Sequence, residues 1–521
     1  MRGLMMDRPL MIGALIQYAA EYHGDAEIVS RTVEGPIHRY TYVDAERRAK
    51  QLAKALKRLG VGFGDRVATI GWNGFRHFEL YFAISGIGAV CHTINPRLFA
   101  DHLGYIVNHA EDKVIFLDAS LAERMPRFEG VEREVLMPDA DARRDGALDY
   151  EELVASGDPS FEFPDLDENA AAAMCYTSGT TGLPKGVVYS HRSTVLHSLL
   201  ANQADAIGLR ERDTVLPIVP MFHANAWGLP YAATLAGSKL VLPGPKMDPA
   251  DLARLIGEER VTMSGAVPTI WQGMAQLEPR PDLSSLDRVV CGGSAVPESL
   301  TRTFDQRFGV PIIQAWGMTE TSPLASICRV PPGGPEGEDA YAMRALQGRV
   351  VPLVEFRVDE EVGGELQVRG PTIARSYYND QSGAAKFTDD GWLRTGDVAE
   401  IQEPAFIKLV DRTKDLVKSG GEWISSVELE NAIMAHPDVR EAAVIAMKDE
   451  RWGERPCACV VVREGSDLDP DALREFLADR VAKWWLPDRV AFIDEVPKTS
   501  VGKFDKKVLR AQLADGTLGH R

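Results

Sequence analysis

The feature that most constrains the fold is an alternation of helical and apolar segments between about residues 40 and 400. Stretches with helical periodicity, such as residues 44–59 and 249–258, are followed by short apolar runs. These runs lie at residues 66–70, 113–117, 214–219, 239–242, 288–291 and 311–314. Because such alternation is typical of βα units, the pattern predicts an α/β fold with layered, substantially parallel sheets.

The pattern changes after about residue 355. Residues 355–358, 365–369 and 406–410 have the composition of short strands, and glycine-containing turns separate them. The pattern predicts a small β-rich subdomain attached to the large α/β domain.

A second change falls near residue 411. Helical patterns at residues 426–435 and 470–481 alternate there with apolar runs at residues 442–446 and 457–462. About 110 residues of α+β pattern suffice for a small independent domain. The sequence therefore predicts one domain at residues 1–411 and another at residues 412–521.

Composition narrows the range of partners. The chain has 58 basic and 76 acidic residues, a formal charge of −18 and a pI near 5.2, which argues against non-specific binding to nucleic acid or anionic membranes. It lacks a run of about 18 apolar residues, so no transmembrane helix is expected. The first 24 residues read as an amphipathic helix rather than a signal peptide. We expect a cytoplasmic protein.

The cysteines support the same compartment. They are scattered, and mostly lie in apolar, strand-like runs: Cys91, Cys175, Cys291, Cys328, Cys457 and Cys459. Their spacing is not that of a redox pair or a zinc site, so buried free thiols in a reducing environment are expected.

The strongest chemical signal is a glycine- and hydroxyl-rich run between two apolar strands. It reads Thr177, Ser178, Gly179, Thr180, Thr181, Gly182, Leu183, Pro184, Lys185 and Gly186. Glycines permit positive φ and let backbone N–H groups approach an anion, which suits a polyphosphate cradle. It is not a Walker A loop, because Gly186 stands where that loop needs Ser or Thr. Taken alone, the run is equally compatible with a flexible surface loop.

Together with five further elements, this run resembles the adenylate-forming superfamily of acyl-CoA synthetases, peptide-synthetase adenylation domains and luciferases. The other elements are Ala315-Trp316-Gly317-Met318-Thr319-Glu320, Thr395-Gly396-Asp397, Asp411-Arg412-Thr413-Lys414-Asp415, Lys418-Ser419-Gly420-Gly421-Glu422 and Pro497-Lys498-Thr499-Ser500-Val501-Gly502-Lys503. The similarity covers essentially the whole chain. It implies a large domain that binds acid and ATP, and a mobile small domain that carries a catalytic lysine.

The resemblance implies a two-step reaction in which a carboxylate first attacks the α-phosphate of ATP. That attack joins two anions, so positive charge must offset their repulsion. Mg²⁺ held by Thr177 and Glu320 and the ammonium group of Lys503 are the expected sources, which makes these three residues the catalytic candidates. Lys185 is expected to contact the terminal phosphates or to order the loop.

The nucleotide site follows from the same resemblance. Trp316 offers a flat face to adenine, Asp397 can accept hydrogen bonds from both ribose hydroxyls, and Arg412 supplies a fixed fork of donors. The remaining nucleotide-site candidates are Gly293, Ser294, Ala295, Ala315, Gly317, Met318 and Thr319.

The acyl and thiol sites are also implied. His223 and Trp227 resemble the gate of fatty acyl-CoA synthetases, and Gly265, Ala266 and Gly292 leave room for an apolar chain. The expected thiol tunnel and coenzyme A contacts are Lys418, Gly420, Gly421, Glu422 and Trp423. Lys414 is the expected hinge.

Within the superfamily, the chain resembles bacterial medium- and long-chain fatty acyl-CoA synthetases and also methylmercaptopropionate-CoA ligases. The residues do not separate these two. ATP, Mg²⁺ and the co-substrate coenzyme A are the implied small molecules, and a homodimer is implied as the assembly. Residues 329–345 depart from the family as a connection without helical periodicity, and Asp505 stands where an apolar residue is common.

Three other functions fit parts of the pattern. They are an adenylating enzyme that loads a carrier protein, a luciferase-like oxygenase, and a non-catalytic acyl- or nucleotide-binding protein. Lys503, Glu320 and Asp397 are all present, which argues against the last of these.

Overall fold

A computed structural model describes the chain apart from residues 2, 34, 139–142, 178–182, 361–363, 403–404, 421, 500–501 and 520–521. The strands are β1 (Glu27–Arg31), β2 (Ile37–Thr41), β3 (Arg66–Ile70), β4 (Val90–Thr93), β5 (Asp112–Asp118), β6 (Arg133–Met137), β7 (Leu148–Asp149), β8 (Ala171–Tyr176), β9 (Gly186–Ser190), β10 (Thr214–Pro217), β11 (Lys239–Leu242), β12 (Met263–Ala266), β13 (Arg288–Gly292), β14 (Ile312–Gly317), β15 (Leu324–Ile327), β16 (Arg349–Val350), β17 (Glu355–Asp359), β18 (Glu365–Arg369), β19 (Leu393–Gln402), β20 (Phe406–Arg412), β21 (Val417–Ser419), β22 (Glu422–Ile424), β23 (Val439–Asp449), β24 (Gly453–Val462) and β25 (Arg489–Phe492).

The helical segments are α1 (Ile12–Tyr22), α2 (Tyr42–Arg58), α3 (Phe75–Gly86), α4 (Ala100–Ala110), α5 (Tyr150–Ala155), α6 (His191–Ala201), α7 (Ala224–Trp227), α8 (Leu229–Ala236), α9 (Pro249–Glu259), α10 (Pro268–Ala275), α11 (Glu298–Phe308), α12 (Asp339–Arg344), α13 (Ser426–Met434), α14 (Pro470–Ala478) and α15 (Lys506–Ala514). Local sequence sets several of their ends. Thr41 and Asp44 form a capping box at the start of α2, and Asp248 caps α9 immediately before Pro249.

The larger sheet has nine strands in the order β16-β15-β14-β13-β12-β10-β11-β1-β2. Strands β14 through β1 in that order are parallel, and antiparallel strands β2, β15 and β16 close its edges. The register pairs Ala266 with Cys291 and Gly292 with Ala315. The carboxyl ends of three neighbouring strands therefore share one edge.

The second sheet has seven strands in the order β7-β6-β5-β3-β4-β8-β9. Its strands are parallel except β9, which returns antiparallel to β8. Helix α3 contacts strands of both large sheets and is buried along its whole length, with Phe78, Tyr81 and Phe82 fully inaccessible. Each such side chain contributes roughly 1.5–3 kcal/mol through burial. This layer holds the two sheets together.

Two smaller units follow. Strands β17, β18, β19 and β20 form an antiparallel sheet, the β-rich subdomain that the sequence predicts. The last 105 or so residues form a five-stranded sheet of β21 to β25 with α13, α14 and α15 packed on it. The predicted fold class, layered α/β sheets followed by a small α+β domain, is confirmed.

The structure corrects some boundaries. The connection at residues 329–345 contains a helix, α12, whose six residues are too few to show a periodic pattern. Strands β23 and β24 are longer than predicted, because the residues added at their ends are mostly polar, as in Arg440-Glu441, Lys448-Asp449 and Glu454-Arg455. The domain boundary stays a prediction; β20 ends at Arg412, and β21 begins the next sheet at Val417.

All six cysteines are free thiols and buried, as predicted. In the part of the chain that the structure describes, no helix combines the length and apolar character needed to cross a bilayer.

Candidate active site

Several of the predicted site residues lie at or near the carboxyl ends of parallel strands, where open α/β sheets generally bind ligands. Gly265, Gly292 and Ala315 lie on the neighbouring strands β12, β13 and β14, and the register pairs Gly292 directly with Ala315. The β-rich subdomain adds Asp397 on β19, and the small domain adds Lys503. Three separate parts of the chain therefore build one site.

Asp397 is fixed by two donors and is 4% exposed. The indole N–H of Trp316 donates to its Oδ2 (2.9 Å), and Arg412 donates through Nε to its Oδ1 (2.9 Å). Each oxygen keeps acceptor capacity for a hydroxyl. Trp316 is 8% exposed and packs in the main core. It orients Asp397, while its stacking on adenine stays a prediction.

Glu320 lies in a short 3₁₀ turn that follows β14 and is 6% exposed. Its Oε1 accepts a hydrogen bond from the hydroxyl of Tyr377 (2.6 Å). The end of β14 packs closely against Pro323 because residue 317 is glycine. A Cβ added to Gly317 would lie 1.8 Å from the carbonyl oxygen of Pro323. Only glycine allows this contact.

The residues around Glu320 fit Mg²⁺ that is bound together with a polyphosphate. Mg²⁺ commonly takes one or two carboxylates, keeps several waters and uses substrate phosphates as its remaining ligands. One buried carboxylate, with the Thr177 hydroxyl as the predicted second ligand, matches that need. The described residues contain no group of three or more His, Cys, Asp or Glu side chains suited to hold a metal alone. Glu320 and Thr177 stay the predicted ligands.

The predicted phosphate loop is the run at residues 177–186. Its two ends are hydrogen-bonded to each other at Thr177 and Lys185, which we call the neck of the loop. Residues 178–182, which include Ser178, Gly179, Thr180, Thr181 and Gly182, lie outside the described residues. The Thr177 N–H donates to the carbonyl of Lys185 (2.9 Å), and the Lys185 N–H donates to Oγ1 of Thr177 (3.2 Å).

Lys185 is engaged by the segment at residues 377–382. Its Nζ lies 2.7 Å from Oδ2 of Asp380, donates to the Ser382 hydroxyl (3.2 Å), and lies 5.1 Å from the centre of the Tyr377 ring. Its hydrogen bond, with that of Ser382, lowers the pKa of Asp380 to about 2. Both predicted roles of Lys185, contact with the terminal phosphates and ordering of the loop, stay predictions.

Lys503 reaches the site across the domain boundary. A Cβ added to Gly293 would lie 3.2 Å from Cε of Lys503. The preceding residue, Gly502, also contacts the large domain, because its carbonyl accepts a hydrogen bond from the Thr269 hydroxyl (3.4 Å). The chain is therefore folded with its candidate catalytic lysine against the large domain.

The charge of Lys503 is balanced by its neighbours. Burial and then the positive charge of Arg412 lower the pKa of Lys503 to about 8, while Asp397 and Glu320 act in the opposite direction. The ammonium group thus predominates at neutral pH, beside the two carboxylates predicted to bind ribose and metal. This arrangement can stabilise negative charge as it develops on a phosphate.

The candidate acyl wall is apolar and close-packed. The Trp227 indole lies within 3.6–3.8 Å of the Cβ positions that Gly265, Gly292 and Gly293 would have. The nearby Ala266 is buried. Burial and then Lys503 lower the pKa of His223 to about 3, so its imidazole is neutral at physiological pH. These groups form a largely apolar surface, and its contact with an acyl chain stays a prediction.

The Trp227 indole is presented by an unusual backbone. Ala224, Asn225, Ala226 and Trp227 all have positive φ, between 42° and 56°, and Gly228 follows at 72°. For residues other than glycine this conformation costs roughly 1–2 kcal/mol each. The segment α7 is thus a left-handed turn.

The remaining nucleotide-site candidates follow strands β13 and β14. Ser294 is exposed and Ala295 half-buried after Gly293, whereas Met318 donates its N–H to Oγ1 of Thr321 (2.9 Å). The carbonyl of Thr319 accepts a hydrogen bond from the buried hydroxyl of Tyr189 (2.7 Å).

The predicted coenzyme A segment belongs to the sheet of the small domain. Lys418, Glu422 and Trp423 are exposed on the β21–β22 hairpin, with the Lys418 ammonium 5.2 Å from the Trp423 ring centre. Gly420 donates its N–H to the carbonyl of Trp452 (2.8 Å), and Gly421 lies outside the described residues. The hairpin's described hydrogen bonds join it to its own sheet, and its role with coenzyme A stays a prediction.

Sequence reasoning missed Tyr377 and Asp380. Both lie in a segment that carries none of the six elements, and they meet Glu320 and Lys185 through long-range folding. A signal was present in the paired aromatic residues Tyr377 and Tyr378 before Asn379 and Asp380, a turn-forming pair.

Comparison with known proteins places this geometry in a family. Residues 16–378 match the model of the AMP-binding enzyme, and residues 428–503 match the model of its C-terminal domain. The chain belongs to the AMP-binding enzyme family. The predicted resemblance to adenylate-forming enzymes is thereby confirmed.

Relatives match along their full lengths. The chain is 47% identical to a long-chain-fatty-acid–CoA ligase of Thermus thermophilus, over 98% of this chain and 96% of that protein. It is 45% identical to a 3-methylmercaptopropionyl-CoA ligase of Ruegeria pomeroyi, over 100% of both. Among solved structures, an anthranilate CoA ligase in complex with anthranoyl-AMP superposes with a TM-score of 0.88 over 98% of this chain and 99% of that one, at 24% identity. This last likeness concerns the fold.

Proposed function

We propose that this member of the AMP-binding enzyme family is an ATP-dependent carboxylic acid–CoA ligase that forms an acyl-adenylate, AMP and pyrophosphate, and acts on medium- to long-chain fatty acids. The observation that carries the proposal is Lys503, docked beside Gly293 with Asp397 and Glu320 as its carboxylate neighbours. The names of the relatives support the acid–thiol ligase class.

The chain's own groups divide the work of the first step. Lys503 lies beside Gly293 and is influenced by the charges of Asp397 and Glu320, so its ammonium group can offset the repulsion between acid and α-phosphate. Asp397, held by Trp316 and Arg412, accepts the ribose hydroxyls. Mg²⁺, when bound, supplies further positive charge at the phosphates. The thiolate of coenzyme A then attacks the acyl carbon and releases AMP.

The acid preference follows from the wall around Trp227. An indole packed on glycines, with a neutral His223 nearby, favours an uncharged chain. Each buried methylene contributes about 0.8 kcal/mol, or roughly fourfold in affinity. The second candidate is 3-methylmercaptopropionate, because of the relative from Ruegeria pomeroyi. Loading of a carrier protein is the third. Mg²⁺ dependence, a cytoplasmic location and a homodimer belong to the same proposal.

The test is pyrophosphate release from a series of straight-chain acids, with and without coenzyme A, beside 3-methylmercaptopropionate. We expect kcat/KM to rise with length through roughly six to twelve carbons and then to level. Thioester should accumulate with free coenzyme A. A monotonic fall beyond about four carbons would contradict the fatty-acid preference, and a sharp optimum at the thioether acid would favour the second candidate. Adenylate without thioester would favour a carrier-loading enzyme.

A further inference from the structure

Two groups predicted for the phosphate side of the reaction, Lys185 and Glu320, meet on one segment at residues 377–382. The Tyr377 hydroxyl donates to Oε1 of Glu320 (2.6 Å), and Asp380 Oδ2 lies 2.7 Å from Nζ of Lys185. The Lys185 ammonium also lies 5.1 Å from the centre of the Tyr377 ring, within the range of a cation–π contact. One segment therefore touches both groups.

The segment has a preorganised shape. Oδ1 of Asp380 accepts hydrogen bonds from the N–H groups of Ser382 (2.8 Å) and Gly383 (3.2 Å), which leaves Oδ2 directed at Lys185. Gly383 lies against Tyr377 so closely that an added Cβ would be 2.4 Å from Cδ2 of the ring. The tyrosine ring and the aspartate are thus held in fixed relation.

Backbone contacts fasten the segment to both partners. The Tyr378 N–H donates to the carbonyl of Gly186 (2.8 Å), directly after Lys185. The Ala374 N–H donates to the carbonyl of Glu320 (2.8 Å). We call residues 377–382 the platform. Tyr378 joins it to the neck of the phosphate loop, and Tyr377, with Ala374 just before the platform, joins it to the turn that carries Glu320.

We propose that Asp380 and Tyr377 are positioning residues for the adenylating step: Asp380 anchors the neck of the phosphate loop through Lys185, and Tyr377 orients Glu320. Lys185 acts as this anchor rather than as a ligand of the terminal phosphates, because Asp380 already neutralises its charge at 2.7 Å. The proposal deepens the adenylating activity proposed above and rests on it.

The deciding measurement is equilibrium binding of a non-hydrolysable ATP analogue to Asp380→Asn, Lys185→Met and the double variant. An anchor predicts that each single variant binds about five- to tenfold more weakly, and that the double variant is no weaker than either, because both changes remove one interaction. A phosphate ligand predicts weak binding by Lys185→Met but unchanged or tighter binding by Asp380→Asn. The second pattern would overturn the proposal.

Two controls separate positioning from general damage. Asp380→Glu keeps the carboxylate and should restore most of the binding. Asp390→Asn removes a carboxylate of the same kind, paired with Arg357 at 2.7 Å and with a pKa also lowered to about 2, and should bind the analogue like wild type. Equal losses in Asp380→Asn and Asp390→Asn would contradict the assignment.

Tyr377→Phe tests the other half of the platform. The aromatic ring that contacts the Lys185 ammonium is kept, and Glu320 loses the hydrogen bond donated by the Tyr377 hydroxyl. We expect Mn²⁺, followed by its electron paramagnetic resonance signal with the ATP analogue, to bind about fivefold more weakly. Unchanged Mn²⁺ affinity would remove Tyr377 from the proposal. These readouts need only nucleotide and metal binding, so they are separable from a failure to find any acid that is activated.

Discussion

At the scale of single residues, Lys503 combines a positive charge with a largely desolvated position. Burial and Arg412 depress its pKa to about 8, and Asp397 and Glu320 limit the shift. Because the folded pKa lies below the usual lysine value, the folded chain binds fewer protons than the unfolded chain between about pH 8 and 10.5. The ammonium form is present below pH 8 and is lost above it.

We therefore expect kcat/KM for adenylation to fall as pH rises through about 8, with a higher apparent pKa in kcat because bound polyphosphate stabilises the ammonium form. Lys503→Ala should slow adenylation by about 10²–10³. Thioester formation from supplied acyl-adenylate should survive in that variant. Its rate should not show the fall above about pH 8 that is expected for adenylation. Equal losses in both half-reactions would contradict a role in the first step.

Motif reasoning singles out residues whose chemistry is visible locally, such as Glu320, Asp397 and Lys503, and their roles stay predictions. It could not find Tyr377, because nothing near it in sequence shows that its hydroxyl meets a carboxylate 57 residues away. Nor could it show that the Trp316 N–H is already used by Asp397. Contacts of this kind depend on tertiary folding.

At the scale of elements, the left-handed turn α7 determines where the Trp227 indole lies. Four consecutive non-glycine residues with positive φ store roughly 1–2 kcal/mol each, so the surrounding contacts must hold the turn in place. Nothing in Ala224-Asn225-Ala226-Trp227 predicts this backbone, because Asn225 alone tolerates it well. The gate role of Trp227 stays a prediction, and the backbone that positions its indole could only be seen in the structure.

Paired substitutions on either side of this wall should have opposite effects on chain-length preference. Trp227→Ala removes the indole and should flatten the dependence of kcat/KM on acid length and admit bulkier acids. Gly265→Ala adds a Cβ 3.0 Å from Leu229 Cδ1 and 3.8 Å from the indole, and should reduce activity with long acids more than with short ones. The same length series measures both. A uniform loss across all lengths in either variant would indicate damage to the fold instead.

At the scale of the whole molecule, contacts between β20 and α13 hold the small domain in the orientation seen here. The Ser426 N–H donates to Oδ2 of Asp411 (2.6 Å), and the Ser425 hydroxyl donates to the carbonyl of Val410. Lys408 pairs with Glu428 across the same boundary. The sequence predicted two domains, but their relative orientation depends on these contacts between distant segments.

Lys414 lies in the turn between β20 and β21, and its position tests the predicted hinge. Lys414→Pro fixes φ and should hold one domain orientation. We expect adenylate to form while thioester formation stalls, measured as separate half-reactions. Lys414→Ala removes the side chain, leaves the backbone free and should complete both steps. Unimpaired turnover in Lys414→Pro, or an equal defect in both variants, would count against a hinge at this residue.

The burial of every native thiol makes the chain a convenient background for fluorescent labelling. All six cysteines are free and buried, so maleimide dyes have little native thiol to reach. Cysteines introduced at the exposed Asp101 of the large domain and Glu475 of the small domain would carry a donor and an acceptor dye. Energy transfer between them would follow the movement of the two domains through each turnover, in single molecules and in real time.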